Sequence, residues 1–183
     1  MKKLVYLFAI AMLLFAGCAK DEMFNEDMNN PELKKAKVPI PMKVDICATP
    51  NWESDWIGYD PDVTTDDMPS IMIPGGTGTH IGKLNSEKSY WEVLVYVPRV
   101  DSEGTIYLFQ SGTGHWVAAN GDIIDYIWRV DAALPNLDCV GVIEFQSGTG
   151  KFEGCSGTLD FIGTVDAETV TICYTGKRFM EFN

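Results

Sequence analysis

The chain has 183 residues, a formal net charge of −12 at neutral pH and five cysteines. Its length suits one domain with a real hydrophobic core. So acidic a surface excludes nucleic acid as a partner, because nothing in it neutralises phosphates at scale, and it disfavours direct adhesion to anionic lipid.

Lys2 and Lys3 precede an apolar run of 12 residues, Leu4 to Phe15, too short for a membrane-spanning helix, which needs about 20. Ala16, Gly17 and Cys18 follow, which is signal-peptide grammar. The segment resembles a bacterial lipoprotein signal, although Phe15 stands where that signal usually has Leu. The resemblance implies cleavage after residue 17, lipid on Cys18 and attachment to the membrane through that lipid. Cleavage leaves 166 residues and removes two lysines, so the charge becomes −14. Cys18-Ala19-Lys20-Asp21-Glu22 resembles the Lys-acidic-acidic tag of Bacteroides-type surface lipoproteins. That implies a lipid-anchored outer-membrane protein exposed at the cell surface. The alternatives are plain secretion and an ordinary polar tether.

Residues 18–37 are polar and charged and read as a flexible tether, with a short helix possible around Pro31 to Ala36. From 38 to 183 the pattern is β. Met42, Val44, Ile46 and Ala48 alternate with Lys43, Asp45, Cys47 and Thr49, as in a half-buried strand. Pro50 to Ser70 reads as loop, with Trp52, Trp56, Tyr59 and the acidic group Asp60, Asp62, Asp66 and Asp67. Ile71 to Ile73 and Thr77 to Leu84 form a strand region. Tyr90 to Val97 is a strand that Pro98 ends. Thr105 to Phe109 and His115 to Ala119 follow, then the turn signal Asn120-Gly121. Ile123 to Ala133 places Ile124, Tyr126, Trp128 and Val130 on one face. Val140 to Phe145, Ser156 to Val165 and Thr169 to Thr175 complete about eight strands.

A Gly-Thr-Gly triplet begins at Gly76, Gly112 and Gly148, in equal steps of 36 residues. It reads as a tight turn or bulge where positive φ is needed. A phosphate-cradling loop is disfavoured, since no Gly-Lys-Ser or Gly-Lys-Thr and no helix follows. The expected fold is all-β: a single closed antiparallel eight-stranded barrel, which removes sheet edges. A two-sheet sandwich is the alternative.

Thr77-Gly78-Thr79-His80-Ile81-Gly82-Lys83, then Ala118-Ala119-Asn120-Gly121-Asp122, then Ser147-Gly148-Thr149-Gly150-Lys151-Phe152-Glu153-Gly154 resemble a motif set of bacterial secreted proteins. That set reads roughly THLGK, AANGD and GGTGRFxGAxG. It is similar to the allene oxide cyclase and dirigent type of barrel, which implies a calycin-like closed β-barrel. The resemblance spans about residues 70–175 and implies fold far more than function.

Several residues are candidates for chemistry. Parity puts Cys47 and Cys173 on outward faces of the first and last strands, where a bridge would staple a closed barrel. Cys139 and Cys155 share faces with apolar residues, as buried partners or separate buried thiols. Four unpaired thiols are the alternative. His80 and His115 meet if their loops cluster at one end. Glu92 and Glu144 interrupt apolar strands. If inward, they are weak candidates for catalysis by an acid or base of raised pKa, and allene oxide cyclases resemble this in carrying a cavity glutamate. If outward, they are surface carboxylates. The acidic loop lacks the glycine and closing glutamate of a calcium loop. No metal or cofactor motif stands out. Trp52, Trp56 and Tyr59 either stack on a ligand or plug the end of the core.

The reading these features favour is a lipid-anchored binding module for a small apolar or glycan-like ligand, or a partner protein, at the barrel mouth. Trp52, Trp56, Tyr59, His80 and His115 are its ligand-binding candidates. A structural or interaction lipoprotein with a filled barrel is the alternative, and a cyclase- or isomerase-type enzyme a third. Large residues at inward positions, Tyr126, Trp128, Phe161 and Tyr174, favour a filled interior. The oligomeric state is not legible in the sequence.

Overall fold

The structure, a computed structural model, describes residues 39–58 and 68–182. The signal, Cys18, the tether, Tyr59 and the four loop aspartates lie outside the described residues. Residues 37–183 form one compact unit.

The strands in chain order are β1 (Ile40–Pro50), β2 (Trp56–Ile57), β3 (Met68–Pro69), β4 (Ile71–Gly78), β5 (Gly82–Lys83), β6 (Tyr90–Val100), β7 (Ile106–Val117), β8 (Ile123–Ala133), β9 (Asp138–Gly148), β10 (Cys155–Asp166) and β11 (Thr171–Phe182). The eight long strands pair antiparallel in a ring: β4, β6, β7, β8, β9, β10 and β11 in succession, with β1 joining β11 to β4. The chain is all-β, and closure of the ring leaves β6 beyond Glu92 as its main open edge. Among the described residues no helix is long and apolar enough to cross a membrane.

Alternation builds the wall. Met42, Val44, Ile46 and Ala48 of β1 are buried, and so are Ile124, Tyr126, Trp128 and Val130 of β8. The ring is thinnest between β4 and β6, where only Ile71 with Glu92 and Met72 with Trp91 are in register. β5 and its neighbours fill the remaining gap. Gly82 and Lys83 pair with β4, and Leu84 bridges to Ala118 at the end of β7. Beyond the two pairs with β4, β6 has no strand on that side among the described residues. This explains why β6 runs through Pro98 rather than stopping before it. A proline without an N–H is tolerated where one edge has no partner.

The Gly-Thr-Gly triplets are not simple turns. Gly76 to Gly78 and Gly112 to Gly114 run inside β4 and β7, and only the third triplet leaves its strand, into a short 3-10 turn at Gly150–Phe152. Gly76 and Gly150 do have positive φ. At the second triplet the need is for room. Gly112 lies opposite Trp128, and Gly114 opposite Tyr126. The same pairing recurs at Gly141 with Phe161 and Gly163 with Tyr174. A Cβ on Gly141 would lie 2.2 Å from Cζ of Phe161. Each inward glycine leaves the space its cross-strand aromatic fills.

Those rings occupy the interior. Trp91 packs edge-on against Trp128, centroids 4.3 Å apart, and against Tyr174 at 5.5 Å. Phe161 meets Tyr174 at 4.7 Å, and Trp116 meets Tyr126 at 4.8 Å. Trp128 donates its indole N–H to the carbonyl of Thr113 at 3.1 Å, using backbone that the flanking glycines expose. Burial pushes the Tyr126 and Tyr174 phenols well above their ordinary pKa, so both stay neutral.

Candidate functional site

The strands turn over at two ends. One carries residues 51–58, 68–70, 101–105, 134–137 and 167–170. The other carries 79–89, 118–122 and 149–154. This topology separates the candidates: Trp52 and Trp56 belong to the first end, His80 and His115 to the second.

Glu92 and Glu144 are both on the outer face, so the interior placement that an acid-base role requires is not what forms. Alternation explains it, since Glu92 stands between buried Trp91 and Val93, and Glu144 between buried Ile143 and Phe145. β6 carries a bulge between Val93 and Val95, so alternation across it is broken. Leu94 and Val95 are exposed while Trp91 and Val93 are buried, which leaves Glu92 facing outward. The Thr113 hydroxyl donates to Glu92 Oε2 at 3.2 Å. Glu92, Thr113, Ile127 and Glu144 stand in one row across four strands. Three strand spacings put the two carboxylates about 14 Å apart, beyond the reach of a cooperating pair.

His80 sits in the turn after β4 with φ of 68°, half-buried, and its Nε2 donates to the carbonyl of Pro41 at 3.1 Å. Burial lowers its pKa, the Lys151 charge acts in the same direction, and the Pro41 hydrogen bond opposes both. His115, on the outside of β7, has Nε2 against the carbonyl of Lys88 at 2.8 Å and Nδ1 3.8 Å from Asp125 Oδ1. The Ser147 hydroxyl donates to the other oxygen of Asp125 at 2.8 Å. A serine bonded to the carboxylate rather than to the imidazole is not a hydrolase relay. Each histidine holds its own loop. Among the described residues no group of three or more His, Cys, Asp or Glu side chains is placed to hold a metal ion.

Cys47 and Cys173 are bonded across β1 and β11. Cys139 and Cys155 are free and buried. They do not pair with each other because Cys139 lies at the start of β9 and Cys155 at the start of β10, and these antiparallel strands begin at opposite ends. Burial pushes each thiol up to about 11.

The first end holds the exposed aromatic pair. Trp52 is 54% and Trp56 53% exposed, with ring centroids 5.8 Å apart and planes tilted by 41°. The sequence reading of this stretch as plain loop misses the small ribbon that carries it, β2 against β3, with Trp56 opposite Pro69. Ser54 fixes the ribbon to the wall: its hydroxyl donates to the carbonyl of Asn51 at 2.8 Å and accepts from the N–H of Ile71 at 3.3 Å. Ile57 packs on the core, so the ribbon is seated while the two indoles face water. Side chains of Asn51, Glu53 and Asp55 surround the indoles in sequence.

Sequence reasoning also missed an exposed apolar pair on the wall, Val140 and Ile162, directly opposite each other on β9 and β10. The signal was present: β9 is apolar on both faces through Cys139 to Ile143. Comparison of the chain with family models, with curated proteins and with solved structures returns no match.

Proposed function

We propose that this protein is a binding module, anchored to the outer membrane at the cell surface through lipid on Cys18, that presents Trp52 and Trp56 to a glycan-like or small apolar ligand. The observation that carries this reading is the indole pair, more than half exposed on a ribbon that Ser54 and Ile57 hold in place. Exposing two adjacent tryptophans on a seated ribbon forgoes the burial free energy of large apolar surfaces, which is expected where they meet a ligand. Polar neighbours give a sugar hydroxyl its partners. The strongly acidic chain favours a neutral ligand over an acidic one. The aromatic-filled interior favours a ligand on the barrel end over one inside it. The address rests on the N-terminal signal and tag.

A filled barrel serving a purely structural or interaction role is the second reading, favoured by the packed rings around Trp91. The test is calorimetric titration against a panel of neutral oligosaccharides and small apolar compounds. Binding by the native protein that Trp52→Ala and Trp56→Ala each weaken by about tenfold, near 1.4 kcal/mol, supports the module. Binding indifferent to both substitutions, or none across the panel, gives the structural role.

A further inference from the structure

The outer wall formed by β8, β9, β10, β11 and β1 has three properties that converge. Its centre is apolar and exposed: Val140 is 64% and Ile162 65% accessible, and they are direct cross-strand partners. Beside this ridge lie two hollows. One, about 590 Å³, is lined by Lys43, Phe161, Gly176 and Lys177 among others. The second, about 510 Å³, is lined by Asp138, Gly163, Thr164 and Cys173. Val140, Ile162 and Thr175 border both. A ridge next to hollows is a shape that accepts its own copy.

The third property is charge. Residues 38–183 contain 8 basic and 21 acidic side chains. Four of the basic ones, Lys43, Arg129, Lys177 and Arg178, are exposed on these strands, against eight acidic ones, Asp45, Asp125, Asp131, Asp138, Glu144, Asp160, Asp166 and Glu181. The rest of residues 38–183 holds four bases against thirteen acids, so the wall is the less acidic part and two copies repel less there. Lys43 and Lys177 stand directly opposite each other, an unfavourable like-charge pair. Asp160 is engaged by Arg178 Nε at 2.7 Å, and among the described residues neither lysine is in an ion pair.

The register supplies a complement. Ile162 is flanked by Val140 on β9 and Thr175 on β11. Asp138 lies two residues before Val140, and Lys177 two residues after Thr175, on strands that run the same way. The acid and the base are therefore displaced equally and oppositely from Ile162. A two-fold axis lying in the interface at Ile162, perpendicular to the line joining them, sets each Lys177 against Asp138 of the other copy. Such a contact is isologous and closes on itself.

We infer that this wall is a docking surface for a second copy of the chain, centred on Val140 and Ile162 and registered by reciprocal Lys177–Asp138 pairs. Five strands by three rows of outward residues cover on the order of 400 Å² per copy. That is below the roughly 800 Å² per partner of a standard stable interface, so the dimer is weak and depends on concentration. The inference is independent of any ligand at Trp52 and Trp56.

Carbodiimide cross-linking, which joins a lysine directly to a carboxylate, tests it on the full chain in its own membrane. Isotope-heavy and isotope-light protein are mixed, so links between copies differ in mass from links within one. The expected product is a heavy–light Lys177–Asp138 peptide pair. Ile162→Glu should abolish it while the thermal midpoint stays unchanged, because the side chain is exposed. For the partnered charges the reporter is the total yield of heavy–light dimer, read on the gel. Lys177→Asp should lower it, and Lys177→Asp combined with Asp138→Lys should restore it. No heavy–light product, a yield indifferent to Ile162→Glu, a swap that does not restore the yield, or links from Lys177 to a different protein would each overturn the inference.

Discussion

Cys47 and Cys173 face each other across β1 and β11 with Cα atoms 4.0 Å apart, although 126 residues separate them in sequence. The bond ties the first strand of the ring to the last and encloses nearly the whole barrel in one covalent loop. By the loop-entropy argument a closure this long is worth up to about 5 kcal/mol, of which bridges typically deliver about 2–4 kcal/mol. The Cys47→Ser, Cys173→Ser double variant should keep its β-sheet circular dichroism and lose that much in urea unfolding. An unchanged midpoint in oxidising buffer would show that the bridge contributes nothing.

The remaining two thiols should behave differently. Burial holds Cys139 and Cys155 with pKa values of about 11, so each is almost wholly protonated and shielded at neutral pH. Iodoacetamide at pH 7 should leave both unmodified in the folded protein and modify both after denaturation, as read by peptide mapping. Labelling of either in the native state would place it nearer solvent than β9 and β10 allow.

Gly112 and Gly121 make a controlled comparison. A Cβ on Gly112 would sit 1.8 Å from the Glu92 carbonyl and 3.1 Å from the Trp128 ring. Neither the β6 backbone nor a packed indole yields easily, so Gly112→Ala should cost roughly 3 kcal/mol or more. Gly121 has nothing within 4 Å of such a Cβ, but its φ is 91°. Gly121→Ala should therefore cost only about 1–2 kcal/mol, the strain of that conformation. Equal costs would mean that close approach is not what the second triplet supplies.

Two tryptophans separate stability from recognition. Trp91 is buried among Trp128, Phe161 and Tyr174, and Trp91→Ala should cost about 3–5 kcal/mol. Trp52 is exposed, and Trp52→Ala should change stability by no more than about 0.5 kcal/mol while weakening ligand binding. A large stability loss at Trp52 would make the indole pair a plug rather than a platform.

His80 should make the protein sensitive to mild acid. Burial holds its folded pKa below the ordinary imidazole value of about 6.5, so the unfolded chain binds its proton more readily. Its contribution to stability is complete above that value and falls as pH drops from there through the lower folded pKa. His80→Asn retains a residue that tolerates positive φ but cannot titrate. The difference in melting temperature between native protein and variant should shift in the variant's favour between pH 7 and pH 5. A difference independent of pH would show that the imidazole titrates alike in both states.

Side-chain periodicity is a local property, and it carried the parts of this protein that depend on neighbours in sequence. The faces of β1 and β8, the count of eight long strands and the outward parity of Cys47 and Cys173 all follow from alternation. Questions about which strand stands opposite needed the register of the closed ring. The triplet at Gly112 makes sense only once Trp128 and Tyr126 lie across from it. Parity along β6 does not say which face is inner, and only the burial of Trp91 and Val93 turns Glu92 outward. Antiparallel turns placed the histidines and the tryptophans at opposite ends. Pairing of β9 with β10 made a single exposed ridge of Val140 and Ile162 from residues 22 positions apart. These contacts are non-local, and only closure of the chain on itself decides them.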